Sequence, residues 1–232
     1  MSFSVIMSAA LVQLAVLGAP IPSAGDAPAL RFADLHLTTG VRLRYAEQGD
    51  RHGHPVILLH GYSDSWFSYS GVLPLLDPKY HVYALDLRGH GDSDRPASGY
   101  DMRGLAADVL AFMNAQRLAR VTVVGHSMGS LVAQQLALAA PERIARLVLV
   151  GSVAAPAQSA VLIELDRAVR SLGDSVPVDF VREFQESTVF QPLPPGFIDR
   201  AVRESLKLPA YVWRGLIAGM LAADSPVGLG PS

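Results

Sequence analysis

A doubly wound, mostly parallel α/β sheet is the fold class that this sequence predicts, on three observations. Short apolar runs ending in glycine, PVILLHG (55–61) and HVYALDLRGHG (81–91), read as buried parallel strands whose C-terminal ends open into loops. Strand-like and helix-like periodicities alternate up to residue 152. The stretch VTVVGHSMGS (121–130) reads as a buried strand that turns through Gly-x-Ser-x-Gly into a helix.

The elements follow in order. Residues 3–19, FSVIMSAALVQLAVLGA, are apolar and are followed by PIPSAGDAPA, so residues 1–27 read as a signal or leader segment. The first basic residue is Arg31, so a positive n-region is missing, and an upstream extension or short anchor is the other reading. A spanning helix needs ~20 apolar residues, so no stable membrane span is expected. The location follows from that choice: secreted or periplasmic with a signal peptide, cytoplasmic without one. Residues 31–47 alternate on either side of TTG, the pattern of a two-stranded hairpin. SGVLPLLDPK (70–79) reads as a short helix, and residues 102–116 place Leu105, Val109, Phe112 and Met113 on one helical face. After the strand at 121–125 come a helix from about Met128 to Ala139, ended by Pro141, and the strand RLVLVGS (146–152). Helical stretches at 157–172, 178–187, 195–206 and 211–223, broken by prolines, suggest a helical cap. The expected organisation is a core over 28–152, a cap over 153–225 and a frayed end over 226–232.

Composition narrows the function. The chain has 232 residues, enough for one α/β domain with an inserted cap. Charged residues make up 17% and the net charge is −2, with basic residues scattered, which points away from nucleic acid as a partner. Absence of cysteine excludes disulfides, thiolate metal sites and a cysteine nucleophile.

In GHSMG, Ser127 would sit on a sharp turn where side chains two residues to either side would collide with backbone, and Gly125 and Gly129 relieve that. The turn leaves Ser127 at a helix N-terminus, where the Met128 N–H and the helix dipole can stabilise an oxyanion. A second donor is available upstream: LLHGYSDSW ends a strand with His60-Gly61, leaving the Tyr62 N–H free, and Gly61 allows a tight approach to substrate. Trp66 and Phe67 are candidates to line an apolar acyl pocket, with core packing as the alternative.

Together and in this order, LLHGYSDSW, ALDLRGHGDSD and VVGHSMGS resemble the α/β-hydrolase superfamily over residues 30–225. The resemblance implies an eight-stranded sheet with a cap after the sixth strand, Ser127 as nucleophile and the Tyr62 and Met128 amides as oxyanion hole. It also implies that Asp86, Arg88, Gly89 and Gly91 shape a loop beside the site. Relatives that form an alkyl-enzyme ester carry aspartate at the elbow, so Ser127 favours carboxylesterase-like acyl chemistry on a small-molecule substrate, with no metal or organic cofactor.

A triad in that family runs Ser, then Asp or Glu, then His. All seven histidines here, His36, His52, His54, His60, His81, His90 and His126, precede Ser127, so the catalytic acid and base are expected to be absent from this chain. About six of the eight strands are expected, as in a C-terminally truncated chain that is nearly inactive. The strand at 146–150 would then be an exposed apolar edge able to drive self-association. The reading from another class is a non-enzymatic ligand-binding protein on the same scaffold.

Overall fold

A computed structural model describes residues 29–224. The readings for residues 1–27 and 226–232 lie outside the described residues. Six strands form one sheet: β1 (Arg31–His36), β2 (Arg42–Gly49), β3 (Pro55–Leu59), β4 (His81–Leu85), β5 (Val121–His126) and β6 (Ile144–Val150). Their order is β1-β2-β4-β3-β5-β6. The β1–β2 hairpin is antiparallel and joins β4 antiparallel, whereas β4, β3, β5 and β6 run parallel. The sheet is therefore mostly parallel, as its apolar strands require.

Alternation along each strand sorts side chains between two cores. Ile57, Leu59, Tyr83, Leu85, Leu43 and Tyr45 enter the larger core, whereas Leu58, Val82, Ala84 and Ala46 enter a smaller one on the other face. Helix α1 (Met102–Ala115) begins at Asp101, whose carboxylate accepts the Gly104 N–H, and it buries Leu105, Val109, Phe112 and Met113. Helix α2 (Met128–Ala139) follows β5 directly and buries Leu131, Val132 and Leu136 in the same core. The short helix expected at 70–79 is instead a single 3-10 turn, Leu73–Leu75, after another at Trp66–Tyr69. Pro74 and Pro78 lack the N–H groups that a longer helix would need.

Beyond β6 come α3 (Ala160–Arg170), α4 (Val178–Ser187), α5 (Phe197–Ser205) and α6 (Ala210–Leu221). Helix α4 spans the stretch that its periodicity marked, whereas α3 and α5 start later than theirs because local chemistry sets their ends. Ser159 caps α3 through its hydroxyl, and α5 starts only after Gly196, whose φ of 78° breaks the preceding turn. The interior faces of the four helices join the larger core through Leu165, Val181, Phe184, Val202, Trp213 and Leu216.

The far edge of the sheet is β6. Leu147 and Val148 there are 38% and 41% exposed, so the apolar edge anticipated from sequence is open among the described residues. No described helix is long and apolar enough to cross a membrane.

Candidate active site

The C-terminal ends of β3 and β5, adjacent in the sheet, converge on the elbow. Ser127 has φ 49° and ψ −115°, a left-handed conformation that costs a non-glycine residue on the order of 1–3 kcal/mol and is held only where its surroundings force it. Three hydrogen bonds do the forcing. The Ser127 N–H donates to Val150 O at 2.9 Å, and the Ser127 carbonyl accepts both the Ser130 N–H at 2.9 Å and the Ser130 hydroxyl at 2.6 Å. Glycine is obligatory on both sides for packing reasons. A Cβ on Gly125 would overlap Gly129 O and lie 2.6 Å from Gly129 C, and one on Gly129 would overlap Leu59 O and lie 2.6 Å from His60 O. Met128 is the first residue of α2, so its N–H has no intrahelical acceptor.

The loop after β3 is tied at nearly every residue. The fully buried His60 donates from Nδ1 to Gly61 O at 2.8 Å and accepts at Nε2 from the Leu87 N–H at 3.1 Å, so both ring nitrogens are committed to backbone. Gly61 O also accepts the Asp64 N–H at 3.3 Å. Tyr62 is buried, donates its hydroxyl to Trp213 O at 2.9 Å and packs edge-on against Trp213 and Phe184. Trp66 and Phe67 separate. Trp66 meets Phe32 edge-on at 4.8 Å and belongs to the smaller core, whereas Phe67 faces Phe197 of α5 at 4.9 Å beneath Arg200. The surroundings of Trp66 are therefore those of a packing residue.

Residues 86–94 form a braced loop beside β3. The buried Asp86 carboxylate accepts the Trp66 and Asp92 N–H groups at 2.8 and 2.9 Å, and Arg88 makes a two-bond ion pair with buried Asp108 at 2.7 Å. His90 is buried edge-on against His60 at 4.6 Å; its Nδ1 bonds Arg88 O and its Nε2 has no partner. Three aspartates beyond β6 pair with arginines: Asp166 with Arg170, Asp199 with Arg182, and Asp224 with Arg103. A surface cavity of about 450 Å³ lies at residues 186–199, lined by Phe190, Leu193 and Ile198 among others and by none of the candidate site residues.

Burial sets the charge of this region. It depresses His60 to about 4 and His90 well below its ordinary 6.5, so both are neutral in the folded protein at neutral pH. The unfolded chain would bind these protons near pH 6.5, so stability is lost as pH falls from about 6.5 towards about 4, by about 3 kcal/mol for His60 alone. Asp86 acts oppositely: burial raises it to about 6, so it adds stability as pH falls from about 6 to 3.8. Two histidines against one aspartate leave a net loss. The melting temperature is therefore expected to drop between pH 7 and 4.5, and a flat or rising value in thermal melts would contradict these burial assignments.

Comparison with known proteins places the fold. The family model for the alpha/beta hydrolase fold matches residues 54–216. A soluble epoxide hydrolase of a Corynebacterium species is 39% identical over 90 residues, 39% of this chain and 31% of that protein. Epoxide hydrolase A of Mycobacterium tuberculosis is 40% identical over 103 residues, 43% of this chain and 31% of that protein. A non-heme chloroperoxidase of Streptomyces lividans is 40% identical over 90 residues, 38% of this chain and 32% of that protein. The matched stretch thus spans about a third of each of these relatives. Among solved structures, a hydrolase from Pseudomonas aeruginosa superimposes with a TM-score of 0.73 at 27% identity, covering 84% of this chain and 74% of that one.

Proposed function

Because the chain belongs to the α/β-hydrolase fold family, we propose that it is a serine hydrolase of ester-like or other acyl bonds, with Ser127 as nucleophile. The observation that carries this reading is the left-handed turn at Ser127 between β5 and α2, closed by one hydrogen bond to β6 and two from Ser130 of α2. Here the strain falls on a serine at the end of a parallel strand and at the mouth of a helix dipole. In this reading Ser127 Oγ attacks the acyl carbon and its proton passes to a base. The carbonyl electron pair moves onto oxygen, where the Tyr62 and Met128 N–H groups hold the charge. Collapse expels the leaving alkoxide, which takes that proton back and departs as alcohol, and water then cleaves the acyl-serine ester to the free acid and Ser127. Helices α3 to α6 act as the cap, presenting Phe184 and Trp213 to the loop that carries Tyr62.

The relatives named as epoxide hydrolases suggest another substrate class, and the nucleophile argues against it. A carboxylate that opens an epoxide leaves an ester, whose carbonyl water can attack. A serine alkoxide would leave an ether, which has no carbonyl and would not turn over. Acyl substrates are the class that an oxygen nucleophile of this kind can release.

The proton acceptor limits the rate. His60 and His90 are buried and bonded to backbone, and the chain has no histidine after Ser127. Loss of a histidine base typically removes on the order of 10⁶ in rate, so turnover by this chain should be slow. Incubation with a fluorophosphonate probe, with p-nitrophenyl esters assayed alongside, tests both statements. The expected result is slow labelling that Ser127→Ala abolishes, with ester hydrolysis near background. Failure of the folded protein to label would defeat the nucleophile assignment and leave the ligand-binding reading; fast turnover would defeat the missing-base argument.

A further inference from the structure

One acidic side chain beside the elbow has no part in the chemistry above. Asp64 lies in the loop after β3, two residues past Tyr62. Its backbone N–H donates to Gly61 O, the carbonyl of the very peptide unit whose N–H belongs to Tyr62. His60 Nδ1 donates to the same oxygen. Two donors on one carbonyl fix the plane of that peptide and polarise it, which strengthens its N–H as a donor.

The two oxygens of the Asp64 side chain have different neighbours. Oδ1 accepts from Gln185 Nε2 of α4 at 3.1 Å, across a sequence separation of 121. Gln185 also donates to Ser205 Oγ at 2.9 Å, and the Ser205 hydroxyl donates to Ser63 O at 2.9 Å, so two cap helices grip the loop through one buried glutamine. On the other side, a Cβ on Gly61 would lie 3.0 Å from Asp64 Oδ2 and 3.1 Å from His126 Nδ1. The carboxylate and the imidazole next to Ser127 thus crowd the same face of Gly61, and nothing larger than a hydrogen fits there without displacing them. The Asp64 charge opposes the depression that burial imposes on His126; His60, at the end of β3, is the other titratable group facing that ring.

We propose that Asp64 is a positioning residue for the oxyanion hole: held by Gln185 and set beside His126 on one face of Gly61, it steadies the Gly61–Tyr62 peptide and couples the cap to the Tyr62 amide. Resting on the Ser127 reading, this goes beyond it by giving the cap a direct hold on the oxyanion donor. The hold on Gln185 joins residues 121 apart in sequence, so this coupling of the cap to the loop exists only when α4 is docked.

The test uses the full chain and two readouts. In an NMR titration, the Tyr62 amide resonance is expected to move with the His126 imidazole, and Asp64→Asn to lower the His126 midpoint, because the carboxylate charge that favours the imidazolium is removed. In fluorophosphonate labelling, Asp64→Asn is expected to slow modification of Ser127 about tenfold. If the wild type labels at Ser127 while Asp64→Asn changes neither rate nor midpoint, the positioning role is overturned and the nucleophile stands. If the wild type does not label but the Tyr62 amide follows His126 and loses that coupling in Asp64→Asn, the role stands and the nucleophile assignment falls. Should Asp64→Asn fail to fold, Gln185→Ala replaces it. An unshifted Tyr62 amide in that variant overturns the proposal, and a shifted one with slower labelling supports it.

Discussion

Replacing Gly129 by alanine is expected to destabilise the protein by about 3 kcal/mol or more, or to prevent folding altogether. The added Cβ would overlap Leu59 O and approach His60 O at 2.6 Å. Both are backbone atoms at the end of β3, a strand hydrogen-bonded on both sides by β4 and β5, so neither can give way without breaking the sheet. The helix cannot retreat either, because Ser127 is bonded to β6 through Val150 O and to Ser130 through its own carbonyl. Gly71→Ala is the matched control: nothing lies within 4 Å of its added Cβ, and its effect is expected within about 0.5 kcal/mol. Equilibrium denaturation of the two variants checks the contrast, and equal midpoints would show that α2 does not press on β3 as described.

Trp213→Ala should cost a similar amount, about 4 kcal/mol, for a different reason. The indole is fully buried and forms the hub of an aromatic cluster, edge-on to Tyr62 at 5.1 Å, Phe184 at 5.7 Å and Phe180 at 5.8 Å. Removing it leaves a large cavity between α4 and α6 and frees the ring of Tyr62, the residue proposed above as an oxyanion donor. Trp213→Phe separates volume from hydrogen bonding. Because indole Nε1–H is buried without a partner, replacing it with an apolar edge removes an unmet donor, so Phe is expected to cost no more than about 1.5 kcal/mol. Thermal melts that show equal losses for the two substitutions would mean that the cavity is not the dominant effect.

These two sites also mark what the sequence could and could not reveal. The elbow was legible because its determinants are local: strand, glycine, serine, glycine and helix lie within ten consecutive residues, and α2 runs from Met128 to Ala139 as its periodicity suggested. Helix α1 was legible for the same reason, since Leu105, Val109, Phe112 and Met113 repeat at helical spacing and are all buried. Interactions across long separations left no trace in periodicity. Nothing near Asp64 announces Gln185, and nothing near Tyr62 announces Trp213 O, 151 residues away. Trp66 was ambiguous because a 3-10 turn has neither a strand's alternation nor a long helical face, so only tertiary packing could decide that it meets Phe32.

The strand β6 carries a consequence of another kind, concerning information rather than energy. A buried strand with alternating polarity accepts a neighbour in one register only, because a slip of one residue would turn its apolar side chains outward. The stretch Leu147-Val148-Leu149-Val150 is apolar at every position, and its two exposed residues, Leu147 and Val148, point to opposite faces. Any extended apolar segment laid beside it would gain the same backbone hydrogen bonds in either register and would find grease on both sides. The edge therefore offers adhesion without an address, and whatever selects its neighbour must be encoded outside the strand.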